Sequence, residues 1–241
     1  MKSWKTLTPD VTQLVPVHFS PGRGGNRVSM VVIHHNAGNL SVEECYRTWL
    51  TREASAHFQV ESSGRVGQLV KLSDTAWHAG DWGINTRSIG IEIANCAGAA
   101  EGWPVSDAAV VTAARLTAAI CAYFKLGEPK SGVNVRYHSD FYSTACPGQL
   151  APGKPLNKKF MAEAKRFYRE LTMPEPKHLR PDYGKLAFEQ LAGYGRTPQG
   201  KPSFSGWEQL GGHTVVDALA IIGQTLGIPG FGLKTARKSE K

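Results

Sequence analysis

The chain has 241 residues, of which 41% are hydrophobic and 20% are charged. This length suits one substantial domain with a smaller second one, and this composition excludes a disordered chain. No run reaches about 18 apolar residues, and the first residues lack the apolar core of a signal peptide, so neither membrane insertion nor a secretion signal is predicted.

The net charge of +8 favours an anionic partner, which could be nucleic acid or a bacterial cell wall. The basic residues are spread along the chain, however, and neither a basic stripe nor an aromatic ladder is present, so no nucleic-acid partner is expected. The four cysteines are widely spaced. This spacing favours reduced thiols, one of which could bind a metal, over a disulfide framework.

Strand and helix patterns alternate along the first part of the chain. Residues 29–35 are β-branched and apolar on both faces, which predicts a central strand buried between helices. The capping-box pattern at 41–44 predicts a short helix directly afterwards. Strand-like patterns follow at 57–60, 66–70 and 88–94.

Two longer helices complete this part of the chain. Ser106 can cap a helix that ends at Gly127, and a second helix is predicted over 157–171 from its apolar stripe. Because strands and helices are mixed along the sequence, we expect an α/β layered fold.

A domain boundary is predicted after residues 1–171. Residues 172–185 contain three prolines and no sustained periodicity, which is typical of a linker. Residues 186–233 would form a small helical module that includes an amphipathic helix at 215–226, and 234–241 would be a basic tail.

Three residues in the first part are candidate metal ligands. His34 ends the predicted central strand, His138 lies in a Tyr-His-Ser-Asp sequence, and Cys146 follows eight residues later. Two histidines and one cysteine suit a catalytic zinc site, which uses three protein ligands and keeps a fourth position open. The spacing is not that of a zinc finger, and each residue alone could equally be packed or solvated.

Glu92 is a candidate catalytic group because of its place in the strand at 88–94. Alternation puts three isoleucines on one face of this strand and Gly90, Glu92 and Ala94 on the other. A carboxylate in so apolar a strand needs a cation, a metal or an open cleft beside it. The alternative is a strand whose second face is exposed to solvent.

Five sequence blocks between residues 30 and 150 carry a family resemblance. In chain order they are VVIHHNAG, SAHFQV, AWHAGDW, SIGIEIAN and HSDFYSTACPG. Together they resemble the peptidoglycan amidase family, which includes phage lysozyme-like amidases and peptidoglycan recognition proteins. The resemblance implies a central mixed β-sheet flanked by helices, with a zinc site in a groove that accepts a muropeptide.

The resemblance also implies roles for single residues. His34, His138 and Cys146 would bind Zn²⁺, Glu92 would be the general base, and His35 would be a structural or supporting residue on the opposite strand face. The implied reaction is that of a zinc-dependent N-acetylmuramoyl-L-alanine amidase, which cuts the amide bond between N-acetylmuramic acid and L-alanine in peptidoglycan.

Two positions depart from part of the family. Ala56 stands where some members have a tyrosine, and Thr144 where some have a lysine, so stabilisation of the transition state stays unassigned. Thr144, Trp77, His78 and Arg87 are the candidates for substrate binding. His78 could donate a hydrogen bond to the scissile carbonyl or merely order its loop, and Arg87 could bind a peptide carboxylate or be an exposed loop charge.

Two functional readings follow from the resemblance. The first is a phage endolysin, a monomer made in the host cytoplasm that reaches the cell wall after a separate membrane lesion. The alternative is a non-catalytic peptidoglycan-binding protein of the same fold, but such proteins typically lack the cysteine ligand. Residues 206–231 resemble tail segments of endolysins from phages of Gram-positive actinobacteria, which implies wall binding; the alternative is a helical cap on the amidase domain.

Overall fold

The computed structural model describes residues 1–172 and 215–226. The chain divides into two compact units, Met1–Met173 and Pro174–Lys241. In the second unit only the helix Val215–Thr225 and Leu226 are described. The predicted linker, the basic tail and most of the predicted module lie outside the described residues, and these assignments stay predictions.

The first unit is built on a six-stranded mixed sheet. Its order is β1-β5-β4-β7-β3-β8, and all neighbouring strands are parallel except the antiparallel pair β4–β5. Strands β2 and β6 form a separate antiparallel pair. The strands are β1 Val11–Thr12, β2 Phe19–Ser20, β3 Met30–Ile33, β4 Phe58–Val60, β5 Val66–Gln68, β6 Thr75–Ala76, β7 Ser88–Ile93 and β8 Val135–Tyr137.

Four helices accompany this sheet. They are α1 Val42–Trp49, α2 Trp82–Arg87, α3 Asp107–Tyr123 and α4 Pro155–Thr172, and α5 is the helix Val215–Thr225 of the second unit. The capping box at the start of α1 is present, because Ser41 and Glu44 exchange hydrogen bonds. Short 3₁₀ turns lie at Ala99–Glu101, His138–Asp140 and Gly148–Leu150. The mixed sheet flanked by helices confirms the predicted fold class.

Helix α3 ends earlier than predicted. Its last residue is Tyr123, four residues before Gly127. The Leu126 N–H donates to the carbonyl of Cys121 (2.8 Å), and Lys125 between them adopts a positive φ of 57°. Lys125 therefore makes the left-handed turn that the sequence pattern assigned to the glycine.

Strand β7 separates the hydrophobic core from the polar side of the sheet. Ile89, Ile91 and Ile93 are fully buried in the cluster formed with α3 and α4. Helix α1 packs on the opposite side of the sheet, against β4, with Val42, Cys45 and Trp49 in a second cluster. The alternate residues of β7, which include Glu92, therefore face the side of α1.

Candidate metal centre

The two predicted histidine ligands leave adjacent strands at the same edge of the sheet. Strands β3 and β8 are parallel neighbours, with Ile33 paired to Tyr137. The next residue of each strand is a histidine, and the ring centroids of His34 and His138 are 4.6 Å apart. The sheet register therefore places both imidazoles side by side.

Cys146 is brought to the histidines by the loop after β8. Its Sγ lies 3.8 Å from Nδ1 of His34 and accepts a hydrogen bond from the backbone N–H of His35 (3.4 Å). Its backbone carbonyl accepts from the N–H of Ser139 (3.1 Å), and its own N–H donates to Oγ1 of Thr144 (3.2 Å). These bonds fix the thiol against the end of β3.

The geometry of the three side chains suits a tetrahedral ion. One nitrogen or sulfur atom from each of His34, His138 and Cys146 lies within 4.8 Å of the others. Zinc–nitrogen and zinc–sulfur bonds of about 2.0 and 2.3 Å at a tetrahedral angle require a nitrogen–sulfur separation of about 3.6 Å. The separation of 3.8 Å between His34 Nδ1 and Cys146 Sγ is close to this value.

The three side chains line a pocket of about 330 Å³. Glu92 of β7 also lines this pocket and is partly exposed in it. Other lining residues come from α1, from the segment after β6 and from the loop before Cys146; they include Asn36, Thr48, Arg52, Trp77, Trp103 and Thr144.

Glu92 is held by a partly buried network of side-chain amides. Its Oε2 accepts a hydrogen bond from Nδ2 of Asn36 (3.1 Å), and Oδ1 of Asn36 accepts from Nε2 of Gln59 (2.7 Å). Burial raises the pKa of Glu92 to about 7, although the Arg52 charge and the Asn36 hydrogen bond both act in the opposite direction. A carboxyl group with this pKa changes protonation state near neutral pH.

The histidines of the site are held neutral. Burial lowers the pKa of His34 and of His78 well below the usual range, and neighbouring histidines lower it further. His138, which is partly exposed, has its pKa lowered by burial and by the positive charge of Arg52. Neutral imidazole is the form that binds metals.

The predicted substrate residues lie in different environments. Trp77 lines the pocket, and its indole N–H donates to Oγ of Ser20 (3.0 Å). Thr144 also lines the pocket. Arg87, at the end of α2, is exposed, donates to the carbonyl of Gly83 (2.8 Å) and does not line the pocket. Its contact with a peptide carboxylate stays a prediction.

His78 is buried and contacts other protein groups through both ring nitrogens. Nδ1 lies 3.0 Å from Nε2 of His34, and Nε2 lies 3.0 Å from Oγ of Ser88. Its predicted hydrogen bond to a substrate carbonyl is not tested by these contacts. The ring of His35 packs edge-on against that of Trp103, with the ring centroids 5.8 Å apart, and both residues line the pocket.

Sequence reasoning missed Asn36 and Arg52, the two pocket residues that act directly on Glu92. Asn36 lies directly after the His-His pair, and its proximity in the block could have suggested a role. Arg52 lies beyond the end of α1 and carries no motif, yet it supplies the one Arg or Lys side chain among the described lining residues. Only the folded structure brings this charge to Glu92 and His138.

Comparison with known proteins identifies the family. A family model described as N-acetylmuramoyl-L-alanine amidase matches residues 24–149, which is more than half of the chain. Among solved structures, the catalytic domain of XlyA is 23% identical, with a TM-score of 0.50 over 64% of this chain and 97% of that one. A mutant endolysin from Bacillus subtilis is 22% identical, with a TM-score of 0.51 over 65% and 99%.

A third solved structure is the Staphylococcus aureus hydrolase AmiA in complex with its ligand. It is 16% identical, with a TM-score of 0.51 over 68% of this chain and 86% of that one. At these identities the solved structures show a shared fold, and the family match covers the segment that contains all three candidate ligands and Glu92. The chain therefore belongs to the N-acetylmuramoyl-L-alanine amidase family.

Proposed function

We propose that this amidase cleaves peptidoglycan with a zinc ion held by His34, His138 and Cys146 and with Glu92 as its general base. As a family member, the chain hydrolyses the amide bond between N-acetylmuramic acid and L-alanine. The observation that carries the proposed mechanism is a single pocket that contains three metal-ligating side chains and a carboxyl group with a pKa of about 7.

The donor set supports zinc. Two imidazole nitrogens and one thiolate sulfur are ligands that zinc prefers, and a three-residue site keeps a fourth position open for chemistry. When bound, zinc supplies Lewis-acid chemistry, which polarises an amide carbonyl and makes water more acidic. His34 and Cys146 are already positioned by contacts within the protein, so little side-chain ordering is needed when the metal binds.

Glu92 supplies the proton transfers. Asn36 holds Oε2, whereas Oε1 has no hydrogen-bond donor among residues 1–172 and 215–226. The free oxygen can accept the proton of the attacking water and then deliver it to the amine of the leaving alanine. A base with a pKa near the working pH is well suited to both steps.

The groove around these groups would hold the muropeptide. Trp77 offers an apolar ring fixed by its bond to Ser20, and Thr144 contributes a hydroxyl beside Cys146. Arg52 would neutralise negative charge that develops in the pocket. Arg52 would thereby stabilise the transition state, the role left unassigned because Ala56 and Thr144 replace the tyrosine and the lysine of some family members.

An endolysin is the biological role that we assign to this amidase. The fold shared with endolysin structures and the second unit after the catalytic segment support it. Among the described helices, none is both long and apolar enough to cross a bilayer. Wall binding by the second unit, action as a monomer and access to the wall through a separate membrane lesion are parts of this proposal.

Digestion of purified peptidoglycan tests the proposed reaction. The chain should release new L-alanine amino groups without new reducing sugars, a chelator should stop the release, and added zinc should restore it. New reducing ends would instead indicate a glycosidase. Cosedimentation with the wall and no release, at full zinc occupancy, would indicate a binding protein and overturn the proposal.

A further inference from the structure

A series of buried hydrogen bonds links His34 to helix α2. From His34, it runs through the ring of His78 to the hydroxyl of Ser88 and then to the carbonyl of Ile84. The two ring contacts are each 3.0 Å, and the hydroxyl–carbonyl contact is 2.7 Å. His34, His78 and Ser88 are all buried, with His78 the most exposed of the three at 8%.

The bond between Ser88 and Ile84 determines which atom donates in each of the other hydrogen bonds. A carbonyl oxygen can only accept, so the hydroxyl proton of Ser88 points to Ile84. The Ser88 oxygen must then accept from Nε2–H of His78, which leaves Nδ1 of this neutral ring as an acceptor. His34 therefore donates from Nε2–H, and its unprotonated Nδ1 is the nitrogen that lies 3.8 Å from Sγ of Cys146.

The His78 ring is held in this place by two further features. A Cβ added at Gly90 would lie 2.7 Å from Cγ and Cδ2 of the ring, so the glycine of β7 provides the space that the ring occupies. The backbone N–H groups of His78 and Ala79 both donate to Oδ1 of Asn85 in α2, at 3.2 and 2.8 Å. The ring can therefore neither shift along β7 nor leave with its loop without breaking these contacts.

We propose that Ser88 and His78 are positioning residues that fix the Nε2–H tautomer of His34 and so present Nδ1 to the metal. This inference rests on the proposed function, because Nδ1 of His34 is the atom that would bind the zinc ion. It gives His78 a role inside the protein in place of the predicted contact with substrate. Removing a residue that orients a metal-ligating side chain by a hydrogen bond commonly lowers metal affinity about 10- to 100-fold.

The test begins with the metal-free protein. Nitrogen-15 chemical shifts of the histidine rings should show His34 protonated at Nε2 and His78 protonated at Nε2. Ser88→Ala removes the acceptor at the end of the chain and should give mixed tautomers at both rings. Ser106→Ala is the matched control, because it also deletes a hydrogen-bonded serine hydroxyl, at the start of α3, and it should leave both rings unchanged.

Zinc affinity, measured by competition with a chromophoric chelator, provides the second readout. Ser88→Ala should weaken zinc binding at least tenfold while Ser106→Ala does not. A metal-free wild type with His34 protonated at Nδ1 would overturn the proposal, and so would a Ser88→Ala variant with unchanged tautomers and unchanged affinity. If the wild type binds no zinc, the proposed function fails. The tautomer measurement on the metal-free protein still decides the direction of the hydrogen bonds from His34 to Ser88.

Discussion

Replacing Glu92 by glutamine should remove activity and stabilise the fold. The pKa of this carboxyl group is raised from its ordinary value of 4.5 to about 7 because of burial, and one pKa unit corresponds to about 1.4 kcal/mol. The penalty for keeping Glu92 ionised is therefore about 3.5 kcal/mol at most. Because the carboxylate faces the pocket, solvent reduces this penalty. We therefore expect glutamine to stabilise the fold by about 1–2 kcal/mol.

The gain in stability should depend on pH in a defined direction. Well below pH 4.5 the carboxyl group is protonated in the folded and the unfolded chain, and the two proteins should be equally stable. Between 4.5 and about 7 the unfolded chain ionises first, so the wild type loses stability as pH rises. Above about 7 the full difference should be present, since glutamine never ionises.

Urea unfolding of the metal-free proteins at about pH 4.5 and about pH 8.5 measures this difference. Glu53→Gln is the control: this glutamate is exposed, so its replacement should change the free energy of unfolding little at either pH. Alanine release from peptidoglycan should fall by orders of magnitude in Glu92→Gln at unchanged zinc content. Near-normal turnover, or an equal stability difference at both pH values, would refute the assigned role or its physical basis.

Three other substitutions give separate expectations. Arg52→Met removes a charge that lowers the pKa of Glu92, so the acidic limb of the activity–pH profile should move to higher pH. Cys146→Ser should lower zinc content, measured by metal analysis after dialysis, and leave the circular dichroism spectrum unchanged. Ile91→Ala should lower the free energy of unfolding by about 2–5 kcal/mol in urea titrations, because this side chain is fully buried between β7 and α3.

Each of these variants has a matched control. Arg166→Met removes an exposed arginine on α4 and should not move the pH profile. Cys96→Ser changes an exposed cysteine, so zinc content should stay at the wild-type level. Val133→Ala changes a residue that is 65% exposed, and the free energy of unfolding should change by less than about 0.5 kcal/mol. Equal effects in a variant and its control would contradict the stated cause.

The parts of the fold that depend on local patterns were predictable. The apolar run before His34, the alternation around Glu92 and the capping sequence at Ser41 each contain the information for their own element. Strand β3, strand β7 and the start of α1 were accordingly found where expected. The three metal-ligand candidates came from sequence blocks, and the structure brings their donor atoms within 4.8 Å of one another.

Features that depend on contacts distant in sequence were not predictable. Helix α2 has only six residues and lacks an apolar stripe; the side chain of Asp81 caps its start by accepting from Ile84 N–H (2.8 Å). The buried position of His78 depends on Gly90 and Ser88, which a motif reading assigns to a different block. The pocket position of Arg52 depends on how α1 packs on the sheet. Hydrophobic periodicity and capping residues do not indicate which residues distant in sequence will be in contact.

The division of β7 between core and pocket restricts how the gene can change. A shift of one residue in its pairing with β3 would bring isoleucines into the pocket and put Glu92 against α3. An insertion or deletion within this strand would therefore abolish folding and chemistry in one step. Changes in length are expected instead in the exposed turn at Ala99–Glu101, where homologous genes can differ without altering the strand register.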